Sequence, residues 1–346
     1  MTRILVKRLV AETRAVAFDS EDVPISCFIQ RETSLDPSAT YGDVFAAIVR
    51  TVDKRRQEAF VELQTGELAF FNLSPKHTPP AEGEHINVEI RAEAYGDKNA
   101  LVRPTGEPAE RTSREDRLRD WMSAFEGSDV EDWSEMPTDD IEQVLTEALS
   151  TEVTISGGGR LSIETTRAMT VVDVDTAGRS PGQGAVNPAA LTTLAREISL
   201  RRISGLVAID LAGAPKGGKA KALRDHMSGE LNAYRLGRAD VLPPSPFGVM
   251  EISIQRRLRP LREYSPETCA VDRRETEMVA ACLRQAEEAA ASARTAKIAI
   301  MVTPNFAEKL GNCRFNWEAG LAQRYGTRFD LQIKPNLKSA YEIQVN

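Results

Sequence analysis

The strongest constraint on the fold of this chain comes from two apolar segments that both end on aspartate and are separated by a helix-length segment. The first spans residues 169–175 and the second residues 205–210. Between them, Asn187 can cap a helix and Pro188 suits its first turn. Apolar residues then recur at helical spacing, namely Leu191, Leu194, Ala195 and Ile198. A strand, a helix and a strand form a right-handed crossover whose strands can lie parallel, so the sequence predicts an α/β sheet here.

Asp173 and Asp210 would emerge at the carboxyl ends of two parallel strands in this arrangement. Open α/β sheets place their ligands at that edge. Two carboxylates that converge there repel each other unless a cation lies between them, and Mg²⁺ accepts oxygen ligands of this kind. A single polar strand end is common and says little. Because two aspartates flank one crossover, we predict a magnesium site.

Several motifs surround the two aspartates in a fixed order: Gly-Gly-x-Leu-x-Ile-Glu-x-Thr-x-Ala at 158–168, Asp-Val-Asp-Thr-x-Gly-Arg at 173–179, Leu-Ala-Arg-x-Ile at 194–198, Gly-Leu-Val-x-Ile-Asp at 205–210, Phe-Gly-x-Met-Glu at 247–251 and Gln-Arg at 255–256. Together they resemble the catalytic core of the ribonuclease E/G family. In that family the aspartates that match Asp173 and Asp210 bind catalytic magnesium. The resemblance implies hydrolysis of RNA to 5′-phosphate and 3′-hydroxyl ends.

One position departs from the family pattern, because Asp175 stands where the family usually has asparagine. An extra carboxylate could orient water or bind metal, so Asp175 joins Asp173 and Asp210 as a candidate catalytic residue. Candidates for binding RNA in the same region are Arg179, Asn187 and Arg256.

Short strands separated by polar turns predict a small barrel, such as an OB-fold, at residues 39–103. The order of its motifs resembles the S1 RNA-binding domain of the same family, in which residues matching Phe60, Phe70 and Lys98 contact RNA. Aromatic rings can stack on bases and lysine can neutralise phosphate. Core packing is the usual role of a lone phenylalanine in a strand, and Phe71 could take the exposed place of Phe70.

The resemblance also implies a multidomain organisation of the α+β and α/β classes. Residues 1–38 and 104–155 would form a ribonuclease-H-like subdomain into which the S1-like barrel is inserted. Residues 156–264 would form a DNase-I-like catalytic domain and residues 265–346 a small α/β domain. Larger members carry a further domain that recognises the RNA 5′ end, and the interval at 104–150 is too short to contain it. We therefore expect that sensor to be missing.

Cysteine usage and hydropathy bear on cofactors and location. Cys269 stands alone where the family carries a paired-cysteine zinc link between subunits, so we expect no zinc and no zinc-linked tetramer, although a homodimer stays possible. None of the four cysteines forms a C-x-x-C motif, which fits a reducing compartment.

No apolar run approaches the length of a membrane span, and the N-terminus lacks a signal pattern. We expect a cytoplasmic protein without membrane contact.

The net charge of −7 argues, taken alone, against a nucleic-acid partner. The distribution of charge decides more than the sum. Acidic residues concentrate at 126–147, and basic clusters lie at 54–56, 216–224 and 256–262. A charge run is usually a solvated face, but three basic clusters favour RNA as the partner.

The sequence therefore predicts a Mg²⁺-dependent endoribonuclease of RNA processing or decay, in which the ion activates a water and stabilises charge on the phosphorane. The alternative is a non-catalytic RNA-binding relative that acts on ribosomal RNA or in ribosome assembly. A nucleotide hydrolase with a phosphate-binding loop at 213–220 is weakly indicated, because Ala220 replaces the serine or threonine that would hold Mg²⁺.

Overall fold

The computed structural model describes residues 2–75, 78–136, 140–176, 178 and 185–346. The chain is a mixed α/β multidomain protein that contains a closed five-stranded barrel. It divides into two compact units. The first unit comprises Met1–Val23, Cys27–Gln143 and Arg262–Asn346, and the second comprises Pro24–Ser26 and Val144–Leu261.

The strands, in chain order, are β1 (Arg3–Arg8), β2 (Glu12–Phe18), β3 (Pro24–Arg31), β4 (Val44–Asp53), β5 (Glu58–Leu63), β6 (Leu68–Asn72), β7 (His85–Ala92), β8 (Ala100–Thr105), β9 (Asp129–Asp132), β10 (Glu152–Thr154), β11 (Arg160–Thr165), β12 (Thr170–Asp175), β13 (Gly205–Asp210), β14 (Ala239–Val241), β15 (Val249–Ile254), β16 (Ile298–Val302), β17 (Phe329–Ile333) and β18 (Tyr341–Val345). The helices are α1 (Arg114–Met122), α2 (Asp140–Glu147), α3 (Asn187–Leu200), α4 (Gly218–Ala233), α5 (Arg274–Ser292), α6 (Pro304–Gly311) and α7 (Trp317–Tyr325). Two 3₁₀ helices lie at Ser123–Phe125 and Leu261–Tyr264.

A four-stranded sheet of order β3-β2-β1-β9 opens the first unit. Strands β1 and β2 form an antiparallel pair, and β9 adds to β1 in parallel. The β9 segment lies in the acidic stretch and has little strand propensity. Its backbone pairs with β1, and exposed ion pairs flank it, with Arg8 2.9 Å from Asp132 and Arg3 3.8 Å from Glu131.

Strand β2 is buried along its whole length, including its polar residues. The carboxylate of Glu12 forms ion pairs with Arg14 (2.9 Å), Arg284 (2.9 Å) and Arg31. Glu142 of α2 pairs with Arg14 and with Arg284. Three acids of the acidic stretch, Glu131, Asp132 and Glu142, therefore pair with arginines within the first unit.

The barrel closes in the order β4-β5-β6-β8-β7, which confirms the predicted small barrel. Alternate side chains fill its interior, among them Phe45, Val61, Phe71 and Ile90. Because side chains alternate across a strand, the burial of Phe71 places its neighbour Phe70 on the outer surface.

The C-terminal segment of the first unit forms a three-stranded sheet of order β17-β16-β18, whose core includes residues of α5. The pattern at 273–345 predicts α5, α7 and these strands, and all are present. Helix α6 was not anticipated, although Thr303 caps it by accepting from Phe306 N–H (3.4 Å) and Pro304 occupies its first turn.

The second unit is a six-stranded sheet of order β10-β11-β12-β13-β15-β14. Strands β12 and β13 pair in parallel, with α3 between them in the chain, as the crossover predicts. One set of alternating strand residues packs with the apolar stripes of α3 and α4 in a single core. The alternate set faces away from those helices and is largely exposed, and we call this surface the open face.

Candidate functional site

Asp173 and Asp210 occupy directly opposite positions on β12 and β13. Both side chains are exposed and belong to the open face. Neighbouring strands lie about 4.8 Å apart, so the two carboxylates leave the sheet side by side. The predicted juxtaposition is therefore confirmed.

Neither carboxylate forms a hydrogen bond or an ion pair with another described residue. Two unpaired negative charges this close repel each other, and a divalent cation would relieve the repulsion. Mg²⁺ typically uses one or two protein carboxylates and keeps several waters, so this exposed pair fits a hydrated magnesium ion. The described residues offer no group of three or more His, Cys, Asp and Glu side chains that could hold a metal.

Asp175 differs from Asp173 and Asp210 because its carboxylate forms an ion pair with an arginine. Arg160 lies opposite it in the β11–β12 register and donates from Nη2 to Asp175 Oδ2 over 3.2 Å. Arg160 also lies 3.8 Å from Glu152 on β10. The carboxylate that replaces the family asparagine is thus largely compensated by a neighbouring arginine.

The glycine run before β11 is explained by a close approach at the same edge of the sheet. Gly157, Gly158 and Gly159 all have positive φ values, of 85°, 107° and 102°. A Cβ atom on Gly159 would lie 2.7 Å from the carbonyl oxygen of Asp175. Only glycine therefore lets this turn lie against the end of β12.

Asn187 does not cap α3 with its side chain as predicted, because tertiary hydrogen bonds engage its amide. Its Nδ2 donates to the carbonyl oxygen of Ala212 (3.3 Å), and its Oδ1 accepts from the Ala212 N–H (3.0 Å). The helix begins at Asn187, and Val186 is the N-cap residue. Asn187 is 1% exposed, which leaves no surface for the predicted RNA contact. We assign it the role of fixing the loop that follows Asp210.

The basic residues predicted to bind RNA fall in different environments. Arg179 lies outside the described residues. Arg256 is half-buried just after β15, and Arg259 in the same cluster is buried, so this cluster is not an open basic patch. Exposed lysines instead lie in the loop after Asp210 and the first turn of α4, at Lys216, Lys219 and Lys221.

On the barrel, Phe60 and Phe70 lie opposite each other on β5 and β6. Their ring centroids are 6.2 Å apart, and both rings are half-buried on the outer surface. Phe71 is 5% exposed, so Phe70 takes the outward position that the sequence left open. Leu101 lies beside Phe70 on β8 and extends this apolar surface, which sequence inspection missed.

Lys98 is held by a tyrosine that was also missed. Tyr95 and Lys98 form an isolated bridge around a turn, and Lys98 Nζ donates to Tyr95 Oη over 3.2 Å. The ammonium also lies 5.0 Å from the centre of the Tyr95 ring. The turn thereby presents one ordered cation beside an aromatic ring.

No helix in the described part of the chain is long and apolar enough to cross a lipid bilayer.

Comparison with known proteins points to one family. The model of the Ribonuclease E/G family matches residues 118–257, a stretch that includes Asp173 and Asp210. Ribonuclease E of Haemophilus influenzae is 27% identical over 209 residues, which cover 57% of this chain and 22% of that protein. The chloroplastic Ribonuclease E/G-like protein of Arabidopsis thaliana is 32% identical over 129 residues, which cover 35% of this chain and 13% of that protein. The match thus spans less than a quarter of either relative.

Among solved structures, a multidomain protein with nucleic acid binding domains from Streptococcus pneumoniae aligns with 32% of this chain and 42% of its own. The sequence identity is 11% and the TM-score is 0.18. Overlap this low carries no argument about fold or function.

Proposed function

We propose that the chain is a member of the ribonuclease E/G family and an endoribonuclease that hydrolyses RNA phosphodiesters at the pair of Asp173 and Asp210. One observation carries the proposal. The two exposed carboxylates lie side by side on neighbouring parallel strands, within the part of the chain that matches the family.

The residues present fit a bound Mg²⁺, which Asp173 and Asp210 would hold. When bound there, the ion would supply Lewis-acid chemistry, namely activation of water and stabilisation of phosphorane charge. Asn187 and Gly159 maintain the backbone around the pair. Asp175, paired with Arg160, would act on the geometry of this edge more than as a third metal ligand. The products would carry 5′-phosphate and 3′-hydroxyl ends.

Each unit by itself offers residues that would bind RNA. In the second unit, three lysines at 216, 219 and 221 would neutralise backbone phosphates near Asp210. In the first, Phe60 and Phe70 would stack on bases and Lys98 would contact phosphate. We assign the barrel an S1-like OB-fold, the sheet β3-β2-β1-β9 a ribonuclease-H-like role and the second unit a DNase-I-like role.

One observation favours a second candidate, a non-catalytic RNA-binding relative that acts on ribosomal RNA. Asp175 replaces the usual asparagine, and its pairing with Arg160 changes the charge and donors next to the aspartate pair. Such a protein would bind RNA through the barrel and leave it intact.

The test that separates the two candidates is end mapping. The purified chain is incubated with single-stranded and structured RNAs, in Mg²⁺ and in a chelator, and product ends are sequenced. Fragments with 5′-phosphate ends that form only with Mg²⁺ support the endoribonuclease. RNA that is bound and stays uncut under every condition rejects it and favours the binding relative.

A further inference from the structure

Phe247 is the most exposed large apolar side chain in the described part of the chain, at 90%. Phenylalanine is among the residues most often buried. Isolated exposed apolar residues need no explanation, but this one is not isolated. Exposed apolar residues also lie on the adjoining open face, at Val171 (40%), Leu206 (55%) and Leu242 (56%).

The exposure of Phe247 is built into a tightly bonded turn. Gly248 N–H donates to the carbonyl of Ser245 (2.9 Å), and Ser245 N–H donates to the carbonyl of Val249 (2.8 Å). The Ser245 hydroxyl accepts from the N–H groups of Phe247 and Val249, each at 3.3 Å. Gly248 has φ 93°, and a Cβ there would lie 3.1 Å from the Gly213 carbonyl oxygen. The backbone that carries the ring is therefore fixed.

This turn adjoins the aspartate pair. Val249 is the register partner of Asp210 on the neighbouring strand, and Leu211 N–H donates to the Gly248 carbonyl (3.2 Å). With strands about 4.8 Å apart and a rise of about 3.3 Å per residue, Phe247 starts within roughly 10 Å of the Asp210 backbone. An aromatic ring at that distance can reach a nucleotide next to a phosphate held at the pair.

The chemistry of the surroundings favours a base over a phosphate as its partner. Glu251, two residues after Val249 on β15, is exposed on the open face and would repel phosphate oxygens. A nucleobase is uncharged and offers a flat surface that an aromatic ring can stack on, whichever base it is.

We propose that Phe247 stacks on the base of a nucleotide beside the scissile phosphate and so sets which bond is placed at Asp173 and Asp210. The assignment rests on the proposed function, because it takes the aspartate pair as the cleavage point. Phe247 makes the substrate-positioning contact, and the fixed turn keeps the distance from ring to carboxylates constant.

The first arm of the test measures stacking without cleavage. Single-stranded oligoribonucleotides carry 2-aminopurine at successive positions and are bound in a chelator by the wild-type chain, Phe247→Ala and Phe247→Trp. Wild type should quench the fluorescence at one or two adjacent positions, Ala should abolish that quenching, and Trp should keep it. Val271→Ala, which trims another exposed apolar residue (77%), is the matched control and should behave as wild type.

The second arm measures the cleavage register in Mg²⁺. Phe247→Ala should lower kcat/KM roughly tenfold, which corresponds to about 1.4 kcal/mol and lies within the range for one lost stack. Its cuts should also spread to neighbouring bonds, and Phe247→Trp should restore a single position. Loss of folding does not explain such spreading, because the side chain is almost fully exposed.

Different results would overturn the proposed role of Phe247 and the proposed endoribonuclease activity. Cleavage that depends on both aspartates but has unchanged rate and register in Phe247→Ala overturns the role of Phe247 alone. Stacking that requires Phe247 in a chain that never cuts RNA supports the base contact and rejects hydrolysis. A Phe247→Ala variant that changes the sedimentation coefficient and leaves quenching intact makes Phe247 a contact between copies, which also overturns the proposal. A wild-type chain that binds no RNA overturns both.

Discussion

Two sets of carboxylates, one in each unit of this molecule, lie in opposite environments. In the first unit, Glu12 is fully buried, and its charge is met by arginines from three positions, Arg14, Arg31 and Arg284. In the second unit, Asp173 and Asp210 are exposed, adjacent and without an ion pair to any described residue.

The difference teaches how to separate structural from functional acids. A buried charge costs several kcal/mol unless the protein compensates it, so Glu12 is bound to its arginines. An exposed carboxylate is solvated by water, so the lack of an ion-pair partner costs little stability. Its oxygens remain available to bind a cation. Asp175 lies between these extremes, because it is half-buried and paired with Arg160.

The largest expected effect comes from breaking the compensated cluster. Glu12→Ala leaves three arginines without their shared carboxylate and should lower the free energy of unfolding by about 3–5 kcal/mol. All three tryptophans, Trp121, Trp133 and Trp317, belong to the first unit, so their fluorescence during urea unfolding reports on that unit. Glu308→Ala removes an exposed acid of α6 in the same unit and is the matched control, expected to change stability by about 0.5 kcal/mol or less. Equal effects of the two substitutions would erase the distinction between the compensated buried acid and an exposed one.

Glu287 is a buried acid with weaker compensation and gives the next effect. Burial raises the pKa of Glu287 to about 7, although Arg324 at 3.0 Å and the Val10 N–H at 2.9 Å oppose the shift. The folded pKa of Glu287 lies above the usual glutamate value of about 4.3. Between about pH 4.3 and pH 7, Glu287 is therefore protonated in the folded chain and ionised in the unfolded chain. Stability should therefore rise as the pH falls from about 7 to about 4.5, by up to about 3 kcal/mol.

Glu287→Gln isolates that contribution from other titrating groups. The difference in unfolding free energy between wild type and this variant should change by about 3 kcal/mol between pH 8 and pH 4.5, with wild type gaining at low pH. If this difference in unfolding free energy stays constant between pH 8 and pH 4.5, the partners of Glu287 compensate its buried charge as completely as the arginines compensate Glu12.

The barrel surface should give an effect on binding without an effect on folding. Phe60→Ala combined with Lys98→Ala removes a stacking surface and a cation, and should weaken RNA binding by about 1–3 kcal/mol and flatten its salt dependence. Melting curves check that the barrel stays folded. Val130→Ala trims an exposed apolar residue (51%) on β9 and serves as the control. Unchanged affinity and salt slope in a folded double variant would remove the barrel from the RNA path.

The smallest stability effect should come from the aspartate pair itself. Asp173→Asn or Asp210→Asn removes one of two like charges that lack partners, so the free energy of unfolding should change by about 0.5 kcal/mol or less. Hydrogen exchange in β12 and β13 measures this within the second unit. A loss of several kcal/mol would show that these acids are structural, as Glu12 is.

The parts of the site that follow from local pattern were predictable from the sequence. Two strands that flank a helix can lie parallel in one sheet, so the proximity of Asp173 and Asp210 could be predicted from the order of these segments. The barrel was also predictable, but the outward position of Phe70 was not, because Phe70 and Phe71 are adjacent and either register suits a strand. Only the burial of Phe71 decides between them.

Features that depend on distant partners were not predictable. Strand β9 forms from Asp-Val-Glu-Asp by pairing with β1, more than 120 positions earlier, where Arg3 and Arg8 also meet its acids. Asn187 looked like a local cap, but its hydrogen bonds to Ala212 replace that role. The exposure of Phe247 follows from a turn whose shape depends on contact with another loop.

The most direct test of the central claim is single-turnover cleavage of one RNA, across a Mg²⁺ titration, by wild type, Asp173→Asn, Asp210→Asn and Asp240→Asn. Asp240 is an exposed strand aspartate of the same sheet that is paired with Arg238 at 3.1 Å, so it is the matched control. Loss of a carboxylate proposed to hold Mg²⁺ should slow cleavage by about 100-fold or more, equivalent to about 2.7 kcal/mol of barrier, in both variants of the pair, while Asp240→Asn stays within about twofold of wild type. Wild-type rates in Asp173→Asn and Asp210→Asn, or equal losses in all three variants, would contradict the assignment of the pair as the cleavage site.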